Sequence, residues 1–354
     1  MAASRSTGTW IPVWIALTAI LTPALPAATS AEEAAKTLRR RADTHGLLIG
    51  SAVQATPLAA HRKYRKNVRK QFNVVTPENE MKWEVLRPSP FTFDFASADE
   101  IVEFAADNNQ FVHGHTLVWH SQLPPWVTEG AWSKAQLRTI LKDHIKTVVS
   151  RYAGRVQTWD VVNEAIADED GKYRKTVWYR TGKKKYIKQA FITARKADPD
   201  AILCYNDYNH ADAEGWQKTK SDAVFLMVRK LVRQDVPIDC VGFQLHIDSN
   251  FQQTAIAENF KRYADLGLQV QITELDVRIE EPVTTDDLAT QARLYREIMD
   301  VCLAAPNCTT FIMWGFTDRY SWVPGVFPGW GAATIMNERF KKKPAFKELL
   351  DALE

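Results

Sequence analysis

With 354 residues the chain is long enough to bury a real core, in one large domain or two small ones. Basic and acidic side chains nearly cancel, leaving a formal charge of +3, so no electrostatic footprint for nucleic acid is present. The four cysteines, Cys204, Cys240, Cys302 and Cys308, follow no zinc-ligand spacing, so no structural zinc is expected.

Residues 1–30 read as an export signal, removed from the mature protein. Arg5 gives the positive start, Trp10 to Leu21 is apolar, and Ala28-Thr29-Ser30 fits a small-residue cleavage site. Pro12, Pro23 and Pro26 interrupt the apolar run, which is too short for a membrane span. A secreted protein with no membrane partner is therefore expected, outside the cytoplasm. In that compartment Cys302 and Cys308 can close a small loop around Pro306. Cys204 and Cys240 lie in apolar runs, where a free buried thiol is the default, and their pairing stays open. Asn307-Cys308-Thr309 is a glycosylation sequon, meaningful only in a eukaryotic secretory pathway.

Along the mature chain, 31–354, strand-like and helical runs alternate. Short apolar or β-branched runs stand at 47–53, 72–76, 111–119, 156–162, 201–205, 240–246, 269–273 and 309–314. Between them lie amphipathic stripes. Tyr64, Val68 and Phe72 recur at four-residue spacing in the basic run 61–70, which reads as a helix with a solvated face. Further helices are expected at 98–108 and 133–152, the latter with Ser133 as N-cap, and around Ile187, Val224, 256–266, Leu288 and 346–353. Eight strand-then-helix units imply an α/β fold, a (β/α)8 TIM barrel in a single catalytic domain. An open doubly wound sheet fits less well, because no Gly-rich phosphate turn follows the first strand.

Chemistry in such a barrel belongs at the C-terminal strand ends. Those ends hold Glu78-Asn79, the run His113 to His120, Asn163-Glu164, Asn206-Asp207-Tyr208, Gln244 to His246, Glu274 and Trp314. Two carboxylates, Glu164 on the fourth strand and Glu274 on the seventh, are candidate catalytic groups. A barrel of about 15 Å diameter puts their carboxyls on the order of 6 Å apart. Such a spacing suits a pair of glycosidase carboxylates and leaves retention or inversion open. Asn163 and Glu164 have opposite parity, so the strand must bulge or end at Asn163 for both to face the site. Trp119, Trp314 and Trp322, at or just past strand ends among amides and Lys82, suit the apolar faces and hydroxyl rim of a sugar. A rival reading gathers His113, His115, His120 and His246 around a metal, but no Asp or Lys completes the shell. Another rival, a sugar-binding barrel without catalysis, would need one of the two glutamates replaced.

These residues occur in motifs that identify a resemblance: Thr76-Pro77-Glu78-Asn79-Glu80-Met81-Lys82-Trp83, Gly114 to Gln122, Trp159 to Glu164, Asn206-Asp207-Tyr208-Asn209, Gly242-Phe243-Gln244 with His246, Ile272 to Asp276, and Trp314 to Asp318. From about Leu47 onward the chain resembles the catalytic domain of glycoside hydrolase family 10, the endo-β-1,4-xylanases. The resemblance implies retaining hydrolysis of internal bonds in xylan, with no cofactor and xylo-oligosaccharides as ligands. It implies Glu274 as nucleophile and Glu164 as acid and then base. Asn163 is similar to the residue that contacts the sugar 2-hydroxyl, and His246 to the partner that orients Glu274, with Gln244 beside it. Glu78, Asn79, Lys82, His115, Trp119 and Gln122 match contacts on the non-reducing side, Trp314 and Trp322 the aromatic walls, and Tyr208 the leaving-group side. His113, Leu245, Trp330 and the run 209–214 depart from the commonest pattern. The alternative function is that of a related barrel endoglucanase or mixed β-glucanase. A monomer is expected.

Overall fold

A computed structural model describes residues 37–354. The expected export signal at 1–30 lies outside the described residues. Eight parallel strands close into a barrel: β1 (Leu48–Val53), β2 (Val74–Pro77), β3 (Phe111–Gly114), β4 (Thr158–Asn163), β5 (Ile202–Asp207), β6 (Cys240–Phe243), β7 (Gln269–Glu280) and β8 (Cys308–Met313). Each pairs with the next, and β8 returns to β1 through partners such as Gly50 and Ile312. The expected (β/α)8 barrel is what forms.

Helices cover the outside for the reasons the periodicity gives. Lys134–Tyr152 starts at a capping box: the Ser133 side chain accepts from Gln136 N–H, and the Gln136 side chain accepts from Ser133 N–H. Such a cap contributes about 1 kcal/mol. Its inner stripe, Leu137, Leu141, Ile145, Val148, Val149 and Tyr152, is buried. The basic helix Arg62–Gln71 buries Tyr64 and Val68 and turns its cations outward. Among the described residues no helix is long and apolar enough to cross a membrane.

Three strands depart by more than two residues from their expected limits at the catalytic end. β3 stops at Gly114 instead of running to Trp119. β6 stops at Phe243, Leu245 takes a left-handed φ of 58°, and a short strand His246–Asp248 then pairs with β7. β7 runs on to Glu280, well beyond Thr273, because His246–Asp248 and Trp330–Gly331 give its extension partners.

The cysteines correct one expectation and bear out another. Cys302 and Cys308 are bonded across their six-residue separation, as expected. Cys204 and Cys240 are not free thiols but are paired, with Cα atoms 4.5 Å apart. They face one another in register on β5 and β6, an alignment that a separation of 36 residues along the chain does not announce. Asn307 spends its side-chain amide on the carbonyls of Phe260 and Leu268.

Candidate active site

Strand β4 sets the first carboxylate. Asp160 pairs with Cys204 and Val162 with Tyr205, so Val161 is an extra residue, a bulge. Strict alternation puts Asp160 and Asn163 on opposite faces; the extra residue turns both toward the interior. Glu164 then adopts a left-handed φ of 56°, and its side chain converges on the same side as that of Asn163. The irregularity expected at Asn163 thus falls on both sides of it, at Val161 and at Glu164.

The two glutamates sit in one hydrogen-bonded chain. Gln244 Nε2 donates to Glu164 Oε1 at 3.1 Å and to Asn163 Oδ1 at 3.0 Å. Asn206 Nδ2 donates to the same Asn163 oxygen at 3.1 Å and to Glu274 Oε1 at 2.7 Å. The Asn163 oxygen is therefore saturated, and its amide nitrogen donates one N–H to Glu164 Oε1 at 3.4 Å, which leaves the second N–H for a bound hydroxyl. Thr273 Oγ1 fixes the Asn206 amide by donating to its oxygen at 2.7 Å. Gly242 makes the crossing from β5 to β7 possible: a Cβ there would lie 2.3 Å from Asn206 Oδ1.

Opposite surroundings divide the pair. Burial would raise the Glu274 carboxyl, but the nearby His115 ring and the His246 hydrogen bond outweigh it and hold the group below the ordinary glutamate range. His246 Nε2 lies 3.0 Å from Glu274 and its Nδ1 lies 3.1 Å from Asp276. Burial opposes a charge on that ring, yet the two carboxylates prevail and raise it to about 10. Glu164 moves the other way: burial, then the negative charge of Asp207, push its carboxyl up, and Glu274 adds to the effect. Trp119 Nε1 donates to Glu164 Oε2 at 2.7 Å.

A cleft of about 740 Å³ opens over this pair and collects every sequence-nominated residue: Glu78, Asn79, Lys82, His115, Trp119, Gln122, Asn163, Glu164, Tyr208, Gln244, His246, Glu274, Trp314 and Trp322. On one flank Lys82 Nζ donates to Gln122 Oε1 at 2.7 Å and Asn79 Oδ1 at 3.1 Å, and lies 5.1 Å from the Trp119 ring. Burial raises the neighbouring Glu78 to about 7. Trp322 Nε1 donates to Asp276 at 2.7 Å, which ties this aromatic wall to the His246 relay.

The histidines of the metal reading do not converge. His113 and His115 clamp Asp160 at 3.0 and 2.8 Å, His120 Nδ1 stands 4.0 Å from Glu164, and His246 spends both nitrogens on carboxylates. His115, Asp160 and Glu274 do have ligand-type atoms within 4.8 Å of one another, each already engaged in the contacts above. Sequence reasoning quoted Asp160, Asn206, Asn209 and Asp276 within the motifs but gave them no role, and it missed Arg278 and Phe327 as lining. Asp160 carried a signal, a carboxylate inside an otherwise apolar strand, and Asn206 another, at the end of β5.

Comparison with known proteins agrees with this geometry. The sequence profile of glycosyl hydrolase family 10 matches residues 37–352. Endo-1,4-β-xylanase B of Thermotoga neapolitana is 45% identical over 311 residues, covering 87% of this chain and 88% of its own. The endo-1,4-β-xylanase of Agaricus bisporus is 42% identical over 79% of this chain and 83% of its own. Among solved structures, xylanase 10B from Thermotoga petrophila RKU-1 in complex with xylobiose has a TM-score of 0.86 at 44% identity, covering 90% of this chain and 97% of that one. Xylanase 10B from Thermotoga maritima has the same score and identity, covering 90% and 98%. A profile match across nearly all the described residues, over a barrel whose strand ends carry two oppositely tuned carboxylates, places this chain in glycosyl hydrolase family 10 as a glycoside hydrolase.

Proposed function

We propose that the protein is an endo-β-1,4-xylanase that cleaves internal bonds of xylan with retention of configuration. One observation carries the reading: two glutamates share the Asn163–Gln244–Asn206 chain while their surroundings favour opposite protonation states. Ionised Glu274 attacks the anomeric carbon as Glu164 passes its proton to the leaving oxygen, and the glycosidic bond breaks. Glu164, now a carboxylate, takes a proton from water, which attacks the same carbon and frees Glu274. Asn163 N–H faces the sugar 2-hydroxyl in this arrangement.

Cleavage within a chain needs a groove that continues past the pair. A second recess of about 580 Å³ meets the cleft at Asn209, His246 and Arg278, and carries Trp216 and Phe251. Trp216 is 70% exposed there, a platform for a sugar beyond the leaving group. Parallel hydrolysis of xylan and carboxymethyl cellulose tests substrate class, and NMR of the first-formed anomer tests stereochemistry. An α-anomer from the β-linkage would reject retention; preference for the cellulose would reject xylan.

Export completes the proposal. The signal-like 1–30 and the Cys302–Cys308 pair support action outside the cytoplasm; the same reading takes the protein as a monomer that acts on a polysaccharide and not on nucleic acid or membrane. N-terminal sequencing of secreted protein is expected to begin at Ala31; retention in the cytoplasm refutes it.

A further inference from the structure

The loops after β4 and β5 bury a charge cluster that the proposed reaction does not itself use. Lys220 opens the helix Lys218–Val232, yet its side chain is only 2% exposed. Its Nζ lies 2.8 Å from Asp207 Oδ1 and 2.9 Å from Asp168 Oδ1. The same nitrogen stands 3.7 Å from the centre of the Tyr208 ring. Tyr208 donates its hydroxyl to Asp168 Oδ2 at 2.5 Å, and Arg174 Nη2 reaches both that carboxylate at 2.9 Å and the hydroxyl oxygen at 2.7 Å. Asp207 is fully buried; it accepts from the Tyr208 N–H at 2.9 Å and from the Tyr205 hydroxyl. That hydroxyl accepts in turn from the N–H of Ala165 at 3.1 Å, the residue that follows Glu164.

The cluster therefore joins the Tyr208 ring at the leaving-group side to the backbone that carries Glu164. Buried ion pairs are poor stabilisers, since apolar residues of the same volume do as well or better. Fold stability alone is a weak reason for a lysine at this position.

We propose that Lys220 is a positioning residue for the leaving-group half of the reaction: by bridging Asp207 and Asp168 it sets the Tyr208 ring and holds the Asp207 charge behind Glu164. The inference rests on Glu164 being the acid/base. Without the ammonium, Asp207 becomes a fully buried carboxylate with no cation in direct contact, since Arg174 bonds to Asp168, and such a group is expected to take up a proton. The charge that favours protonated Glu164 then disappears.

Other groups face the same space. His120, beside Glu164, and His210, beside Asp207, are each lowered by burial to about 4, so neither titrates on the basic limb of activity. Burial also raises Tyr186, Tyr205 and Tyr208, which keeps their hydroxyls neutral there. Arg174 is raised above its ordinary value, with burial opposed by Tyr208 and Asp168, and remains a cation. Lys82 and Glu274 also act on the charge of Glu164.

The test is the pH profile of kcat and KM on xylan for Lys220→Met, Lys220→Arg, Asp207→Asn and the Met/Asn double variant, with thermal melting of each. An aryl xylobioside with an activated phenol, which leaves without a proton, is the comparison substrate. Lys220→Met and Asp207→Asn are each expected to move the basic limb down by about one pH unit. The double variant moves it no further, Lys220→Arg restores it, and the loss is larger on xylan than on the aryl substrate. A basic limb that stays in place, or rises, in a folded Lys220→Met overturns the proposal. Should that variant not fold, an unmoved limb in the near-isosteric Asp207→Asn overturns it equally. Undiminished xylan hydrolysis by Glu164→Ala, run alongside, would instead strike the acid/base reading.

Discussion

Glu274 and Glu164 belong to one hydrogen-bonded chain, yet the backbones that carry them differ. Glu274 lies inside the long strand β7, at a register shift between Ile272 and Leu275, with pairing taken up again beyond it and His246 and Asn206 holding its two oxygens. Glu164 stands just past the end of β4, after a bulge, in a left-handed conformation. A nucleophile gains from being fixed and kept ionised. An acid that later becomes a base needs a position reachable by both the leaving oxygen and water, and surroundings that disfavour its charge. The contrast teaches that this barrel tunes the pair by its strand ends as much as by its side chains.

Removing the fixed member breaks the comparison most completely. Glu274→Ala is expected to lose on the order of 10⁴-fold or more in kcat on xylan; retention of wild-type hydrolysis would end the assignment. Glu164→Ala is expected to lose about 10²- to 10⁴-fold on xylan but much less in the first step with an activated aryl glycoside. Equal losses on both substrates would show that Glu164 is not the proton donor.

pH sharpens the contrast without deleting either group. Glu274 is lowered, so it stays ionised below the ordinary glutamate range and sets an acid limb there. Glu164 is raised, so it stays protonated above that range and sets the basic limb. The kcat/KM profile of the wild type should be a bell with those limbs. In His246→Asn the imidazolium that favours ionised Glu274 is gone, so the acid limb should rise by about one pH unit while the basic limb moves less. A limb that stays put would mean that His246 only shapes the site. The smallest effect lies far from the pair: Trp216→Ala should raise KM on long xylan about fivefold, the equivalent of about 1 kcal/mol of stacking, and leave a short aryl substrate unchanged. Equal changes on both would remove Trp216 from the groove.

Much of this was legible in the sequence, and for a definable reason. Eight alternating runs gave the barrel, and polar or aromatic residues at their ends stood out because a plain core excludes them. Glu164 and Glu274 followed from that position, and most of the cleft residues from the resemblance to family 10. What escaped depends on register. The extra Val161, the pairing of Cys204 with Cys240, and the crossing of Asn206 under Gly242 all arise from which residue faces which across neighbouring strands. Strand lengths beyond the barrel escaped too, since the extension of β7 exists only because distant segments supply it with hydrogen bonds. Asp160 and Asp276 act through histidines, and their carboxylates look like any buried acid until the partners are placed.

The bulge at Val161 has a consequence for anyone who would move this site to another scaffold. An inventory of the site's side chains, however complete, omits a residue whose own side chain is buried in the core and not in the cleft. Val161 contributes a count: it advances the phase of β4 by one so that Asp160 and Asn163 share a face. A transplanted strand with all the right polar residues and one residue fewer would send Asn163 outward and aim its neighbour elsewhere. In this enzyme a spacer is part of the catalytic apparatus.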